Sequence, residues 1–84
     1  MFYVYVLMSR ANQRLYVGRT SDLRARLGEH LKGKTWTMAR MSDLVLVFYE
    51  AFKAKSDAIR RERYLKTSKG KSSLRQVIRD SLVV

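Results

Sequence analysis

Cysteine and proline are both missing from the 84 residues, acidic side chains number only seven, and no long hydrophobic run occurs. Without thiols there are no disulfides and no thiolate metal sites, which fits a reducing compartment. Proline, internal repeats, low-complexity tracts and linkers are all absent, so nothing marks a domain boundary. One domain spanning 1–84 is expected, burying roughly 60–65% of its extended-chain surface. The apolar run nearest the start, Phe2 to Met8, covers seven residues, against the ~18 that a membrane helix needs. It also lacks the basic flank and cleavage site of a signal peptide. A cytoplasmic protein without a membrane segment is the expectation.

What is present is basic. Eighteen Lys and Arg give a net charge of +11, and 46% hydrophobic content with 11% aromatic makes the chain globular rather than disordered. The excess is concentrated late: Lys53, Lys55, Arg60, Arg61, Arg63, Lys66, Lys69, Lys71, Arg75 and Arg79 are opposed there only by Asp57, Glu62 and Asp80. Such a balance favours a polyanion, nucleic acid before an anionic membrane surface.

Phe2 to Met8 is β-branched and aromatic on both faces, which reads as a central strand. The polar stretch Ser9 to Arg14 reads as a hairpin connection to a second strand, Leu15 to Gly18. Tyr5 and Tyr16 could approach each other across that hairpin, either as packed phenols or as site residues. Beyond Gly18 the apolar residues Leu23, Leu27 and Leu31 change to helical spacing. Thr20, Ser21 and Asp22 can each cap that helix. Arg26 and His30 lie one turn apart at the edge of its leucine stripe, where Arg26 either lines a cleft or pairs with Asp22.

Lys32 to Asp43 has no clear period and reads as a loop. Its Trp36, between Lys34 and Arg40, either stacks on an unpaired base or folds onto the core. Leu44 to Tyr49 is a third strand, which Glu50 to Phe52 extend. A helix capped at Ser56 or Asp57 then runs to about Lys66, with Ala58, Ile59 and Leu65 as its apolar stripe and Glu62 in the middle of that stripe. A carboxylate there is either paired with an internal arginine or held for function. Thr67 to Lys71 reads as a break at Gly70 that carries two lysines. Ser73 with Gln76 resembles a capping box, leading into a last amphipathic helix through Leu74, Val77, Ile78 and Leu82.

Tyr5, Tyr16, Arg19, Arg26, His30 and Glu62 form a set of phenols, guanidinium groups, one imidazole and one acid. Phosphodiester cleavage needs a deprotonated water, neutralised charge on the transition state and a stabilised leaving oxygen. A phenol or imidazole can take the proton, arginine can hold the equatorial oxygens, and a carboxylate can anchor a divalent ion.

These residues stand in an order that resembles the GIY-YIG nuclease superfamily, in particular its small stand-alone members. Tyr3-Val4-Tyr5 and Tyr16-Val17-Gly18 match the two tyrosine motifs, with ten residues between Tyr5 and Tyr16. Thr20 to His30 is similar to the T-x-D-L-x-x-R-L-x-x-H helix. Phe48-Tyr49-Glu50 and Asp57 to Lys66 are similar to the third strand and the acid-bearing helix. Tyr3 departs from the first motif, whose name has glycine at that place.

The resemblance implies an α+β fold with a three-stranded antiparallel sheet flanked by about three helices. It also implies a Mg²⁺ or Mn²⁺ ion bound mainly by Glu62, Tyr16 activating water with Tyr5 nearby, Arg26 steadying the phosphate, and supporting roles for Arg19 and His30. The activity implied is a divalent-metal-dependent endonuclease on DNA rather than RNA, of the kind that serves DNA repair; the alternative is a non-catalytic nucleic-acid-binding module of the same fold. Lys34, Arg40, Arg63, Lys66, Lys69 and Lys71 are the expected backbone contacts, and a protein partner is expected to supply specificity.

Overall fold

The computed structural model describes residues 1–31 and 44–83, with His30 and Leu31 described by backbone only. The loop expected over 32–43, with Lys34, Trp36 and Arg40, lies outside the described residues. In chain order the elements are β1 (Phe2–Ser9), β2 (Leu15–Thr20), α1 (Leu23–Leu31), β3 (Leu44–Phe52), α2 (Lys55–Leu65) and α3 (Ser68–Val77). The sheet is antiparallel throughout, in the order β2-β1-β3. This is the α+β fold with a three-stranded antiparallel sheet that the sequence led one to expect. Among the described residues, no helix is long and apolar enough to cross a membrane.

Apolarity on both faces of β1 is explained by its place in the middle of the sheet, with a helical layer on each side. Val4, Val6 and Met8 are buried against Leu15, Ala58, Leu65, Leu74 and Ile78, so this face carries α2 and α3. Tyr5 and Leu7 point to the other face, where Tyr16, Leu23, Leu27, Leu44 and Leu46 pack on them under α1. The alternation that separates the two clusters is the period-2 geometry of a strand. Pairing with β3 shifts between Val6 and Leu7, opposite Phe48 and Leu46 respectively, which leaves Val47 as the extra residue of a bulge.

Gln13 closes the β1–β2 hairpin in the left-handed region at φ 59°, and its N–H donates to the Ser9 carbonyl over 2.7 Å.

Several sequence readings of the later helices are corrected. Helix α2 starts at Lys55 with Ala54 as an N-cap that offers no side-chain hydrogen bond, so neither Ser56 nor Asp57 is the cap. Gly70 does not break a helix. Thr67 caps α3 by accepting the Gly70 N–H over 3.0 Å, and Gly70 is a buried residue inside α3. A Cβ there would lie 2.6 Å from the Tyr64 carbonyl carbon and 2.9 Å from Leu65 Cα, so glycine is present for the close approach of α2 and α3. Ser73 and Gln76 therefore sit within a helix and not at its start. Leu74 and Ile78 are buried as expected, whereas Val77 is 68% exposed and outside the apolar stripe.

Candidate active site at the edge strand

Strand β2 is a sheet edge, and Gly18 and Arg19 fall near its end, where α1 and α2 approach from opposite faces. Gly18 is the register partner of Tyr5, and a Cβ on Gly18 would overlap the Tyr5 phenol. The ring thus lies directly over the glycine, which is why the second tyrosine motif must end in a residue without a side chain. Arg26, from the second turn of α1, donates through Nε to the Tyr5 hydroxyl over 3.4 Å and through Nη1 to Glu29 Oε2 over 3.2 Å. The anticipated Arg26–Asp22 pair does not form. Asp22 Oδ1 instead accepts the Ala25 N–H over 3.1 Å as the helix cap, and Thr20 Oγ1 accepts the Asp22 N–H over 3.1 Å.

The Tyr5 hydroxyl raises the Arg26 pKa above its ordinary value and outweighs the opposing effect of burial, and Glu29 adds a smaller contribution in the same upward direction. The guanidinium therefore remains cationic at every pH the protein can experience.

Tyr16 is the register partner of Leu7, two residues along from the Tyr5–Gly18 pair on the same face. The two phenols are thus diagonal neighbours, as the hairpin reading anticipated. The Tyr16 hydroxyl is buried and, among the described residues, has no hydrogen-bond partner. A buried phenol O–H without a partner carries a desolvation penalty of about 1–3 kcal/mol, the type of exception that marks functional positions.

Arg19 is opposite Val4 and so projects to the other face, toward α2. There its Nε meets Glu62 Oε1 at 3.3 Å, while Lys66 Nζ meets Glu62 Oε2 at 3.3 Å. The Glu62 side chain is 18% exposed, with Arg19 at 31% and Lys66 at 55%. An internal ion pair with an arginine, one of the two readings of Glu62, is therefore realised, and the arginine is itself one of the expected site residues.

The expected residues fall into two groups. Tyr5, Tyr16 and Arg26 occupy the α1 face; Arg19, Glu62 and Lys66 occupy the α2 face. The groups adjoin at the Gly18–Arg19 step, but among the described residues no polar contact of Glu62 reaches Tyr16 or Arg26. His30 follows Arg26 by one turn on α1, and its side chain lies outside the described residues. Arg63, Lys66, Lys69 and Lys71 are all exposed along α2 and the start of α3. Two participants escaped the sequence reading: Lys66 as a partner of Glu62 and Glu29 as a partner of Arg26. Their i, i+4 and i, i+3 spacings were the available signals.

Among the described residues no group of three or more His, Asp or Glu side chains comes together that could hold a metal. A divalent cation would rest on Glu62 as its protein ligand. The donor chemistry fits, because a carboxylate offers about four lone-pair sites and Glu62 uses one oxygen for each of two cationic partners. Hard, hydrated Mg²⁺-type ions accept such one-carboxylate sites when water and phosphate oxygens complete the shell.

The chain matches the family model of the GIY-YIG catalytic domain over residues 1–75. It is 38% identical over 77 residues to a UPF0213 protein of Staphylococcus haemolyticus, covering 89% of this chain and 92% of that protein. It is 31% identical over 86 aligned positions to a UPF0213 protein of Pediococcus acidilactici, covering 99% and 87%. A UPF0213 protein of Streptococcus pneumoniae is 38% identical over 69 residues, covering 80% and 68%. Those names state no activity. No solved structure matches at a significant level.

Proposed function

Because the chain belongs to the GIY-YIG family, we propose that it is a divalent-metal-dependent endonuclease that hydrolyses phosphodiester bonds of DNA at the edge of β2. The observation that supports this reading is the buried hydroxyl of Tyr16, without a partner among the described residues, beside the Tyr5–Arg26 hydrogen bond. The Tyr16 oxygen, which has no hydrogen-bond partner among the described residues, would take the proton of an attacking water as its phenolate and return to the neutral phenol. Arg26, cationic at all relevant pH, neutralises the equatorial oxygens of the phosphate, and its bond to Tyr5, whose ring covers Gly18, orients the guanidinium. His30, one helical turn further on, would orient the same water.

Glu62 would hold Mg²⁺ or Mn²⁺ on the leaving side, where the ion when bound supplies charge stabilisation for the departing oxygen. Arg19 neutralises the carboxylate of Glu62 across the strand until the ion takes its place, and Arg63, Lys66, Lys69 and Lys71 provide the basic surface along which the backbone runs. A second reading, a nucleic-acid-binding module without catalysis, is favoured by one observation: both oxygens of Glu62 already have cationic partners.

Nicking of supercoiled plasmid separates the two. The endonuclease cuts with Mg²⁺ or Mn²⁺ and not with chelator, and Glu62→Ala and Arg26→Ala each lose at least about 100-fold in rate, as removal of a charge-stabilising group does. Binding without cutting by the wild type, or undiminished cutting by Glu62→Ala, would establish the binding module instead.

A further inference from the structure

On the side of α1 away from Arg26, the helix and the sheet leave a groove of about 590 Å³. That volume is within the ~300–1,000 Å³ of small-molecule sites. Its floor is Tyr3 and Tyr49, with ring centroids 6.3 Å apart and planes tilted by 59°. Leu23 and Leu27 close its inner wall, and Arg24 stands at its rim. Tyr49 is 54% exposed, an unusual exposure for a large aromatic ring. Gly28 adds open space, since a Cβ built there would meet nothing within 4 Å. The acid lining the groove, Asp22, has its carboxylate turned to the helix cap.

We propose that this groove binds an unpaired nucleobase of the nucleic-acid substrate, stacked on Tyr49 and edged by Tyr3. The inference rests on the nucleic-acid reading above and adds to it a preference for substrate with a base outside a duplex. Charge complementarity selects the occupant: a chain of net charge +11 with an arginine at the groove rim attracts a phosphodiester strand. Aromatic faces with sequence-tolerant stacking are how proteins hold unpaired bases. Position agrees, because Tyr49 is the register partner of Tyr5 and Tyr3 that of Thr20. The groove and the phenol–guanidinium contact therefore share one sheet face, with Tyr49 and Tyr5 on neighbouring strands about 5 Å apart at the backbone. A strand lying over the start of α1 spans that distance in one or two nucleotides. Tyr3 is also the residue by which this chain departs from the first tyrosine motif, and glycine at that place would leave the floor of the groove without its second ring.

The test uses the full chain carrying Glu62→Gln, so that binding is read without cutting, and fluorescence anisotropy with three labelled probes. These are a paired duplex, the same duplex with one unpaired base, and that duplex with an abasic residue in place of the base. The parent and Tyr49→Phe should prefer the unpaired base over the abasic probe by at least about fivefold. Tyr49→Ala should lose that preference while binding the paired duplex as before. Gly28→Leu, whose Cβ enters open space and whose side chain occupies the groove while a helix glycine is removed, should lose it too, with an undiminished unfolding temperature. Equal affinity of the parent for the two probes, or a preference that survives both groove variants, overturns the inference. A Tyr49→Ala effect on self-association alone would overturn it as well. Plasmid nicking by the wild type is scored separately, so failure here leaves the endonuclease reading intact, and the converse also holds.

Discussion

Replacing Arg19 with Gln removes one of two positive charges that hold Glu62 and should tighten binding of a divalent ion to the free protein. Arg19 Nε and Lys66 Nζ each stand 3.3 Å from one carboxylate oxygen, so an incoming cation meets an occupied acid and a local excess of positive charge. At 3.3 Å the pairwise Coulomb energy is about 5 kcal/mol at an effective dielectric of ~20 and about 1 kcal/mol in water. Arg19 is 31% exposed and Lys66 55% exposed, which places both toward the screened limit. Pairs in that regime are worth about 1 kcal/mol or less. Arg19→Gln should therefore strengthen Mn²⁺ binding by roughly fivefold, Lys66→Gln by less, and the double variant by more than either. Glu62→Gln should abolish binding.

Titration followed by the loss of the free-Mn²⁺ paramagnetic resonance signal measures the wild type and all four variants directly. Addition of duplex DNA extends the test, because phosphate competes for Arg19. DNA should tighten Mn²⁺ binding to the wild type and have a smaller effect on Arg19→Gln, and the ion should tighten DNA binding by the same factor. An Arg19→Gln protein that binds Mn²⁺ no better than wild type, while Glu62→Gln loses it, would falsify the competition. In that case Arg19 serves to hold the carboxylate in place for the metal.

Gly70→Ala sets a helix-propensity gain of ~1 kcal/mol against a Cβ 2.6 Å from the Tyr64 carbonyl carbon. The overpacking should dominate with a net loss of about 1–3 kcal/mol by urea unfolding, and a stabilised variant would refute the account of α2–α3 packing. Thr67→Ala removes the hydroxyl that accepts the Gly70 N–H and should cost about 1 kcal/mol, read as a lower urea midpoint with an unaltered slope. Arg26 has its pKa raised by Tyr5 and Glu29; a raised base contributes stability below its unfolded pKa and loses it only as pH rises through the folded value, both above the ordinary working range. The difference in unfolding temperature between wild type and Arg26→Gln should accordingly be constant from pH 6 to 9. Changing Lys66, Lys69 and Lys71 to Gln should lower the slope of log affinity against log salt by ~0.9 for each phosphate that is no longer neutralised; an unchanged slope would remove those lysines from the DNA path.

The existence and type of most elements were readable because their periodicities are strong. Phe2 to Met8, apolar on both faces, could be stable only between two layers, and β1 is the central strand with a cluster on each side. Leu23 and Leu27 gave the helix, and Thr20 and Asp22 its start. Gly70 was misread because glycine has two uses, chain reversal and close approach, and local sequence cannot distinguish them. Only the position of Tyr64 and Leu65 on the neighbouring helix does so. Asp22 illustrates the same limit for charge: its spacing from Arg26 permits an ion pair, but a helix N-terminus with unsatisfied N–H groups competes for the carboxylate more effectively.

Residue identities alone determined the chemistry on offer: two phenols, two guanidinium groups, an imidazole and an acid within an apolar stripe, on a strongly basic chain. Local periodicity determined which element would carry each, since amphipathic spacing depends only on neighbours in sequence. The tertiary structure decided the partners. Register placed the Tyr5 ring over Gly18 and sent Arg19 to the opposite face from Tyr16. Packing of α2 then brought Glu62 onto Arg19, 43 residues away in the chain. Strand alternation assigns faces only once register is set, and register is a property of two strands together, so no single segment could have contained that result.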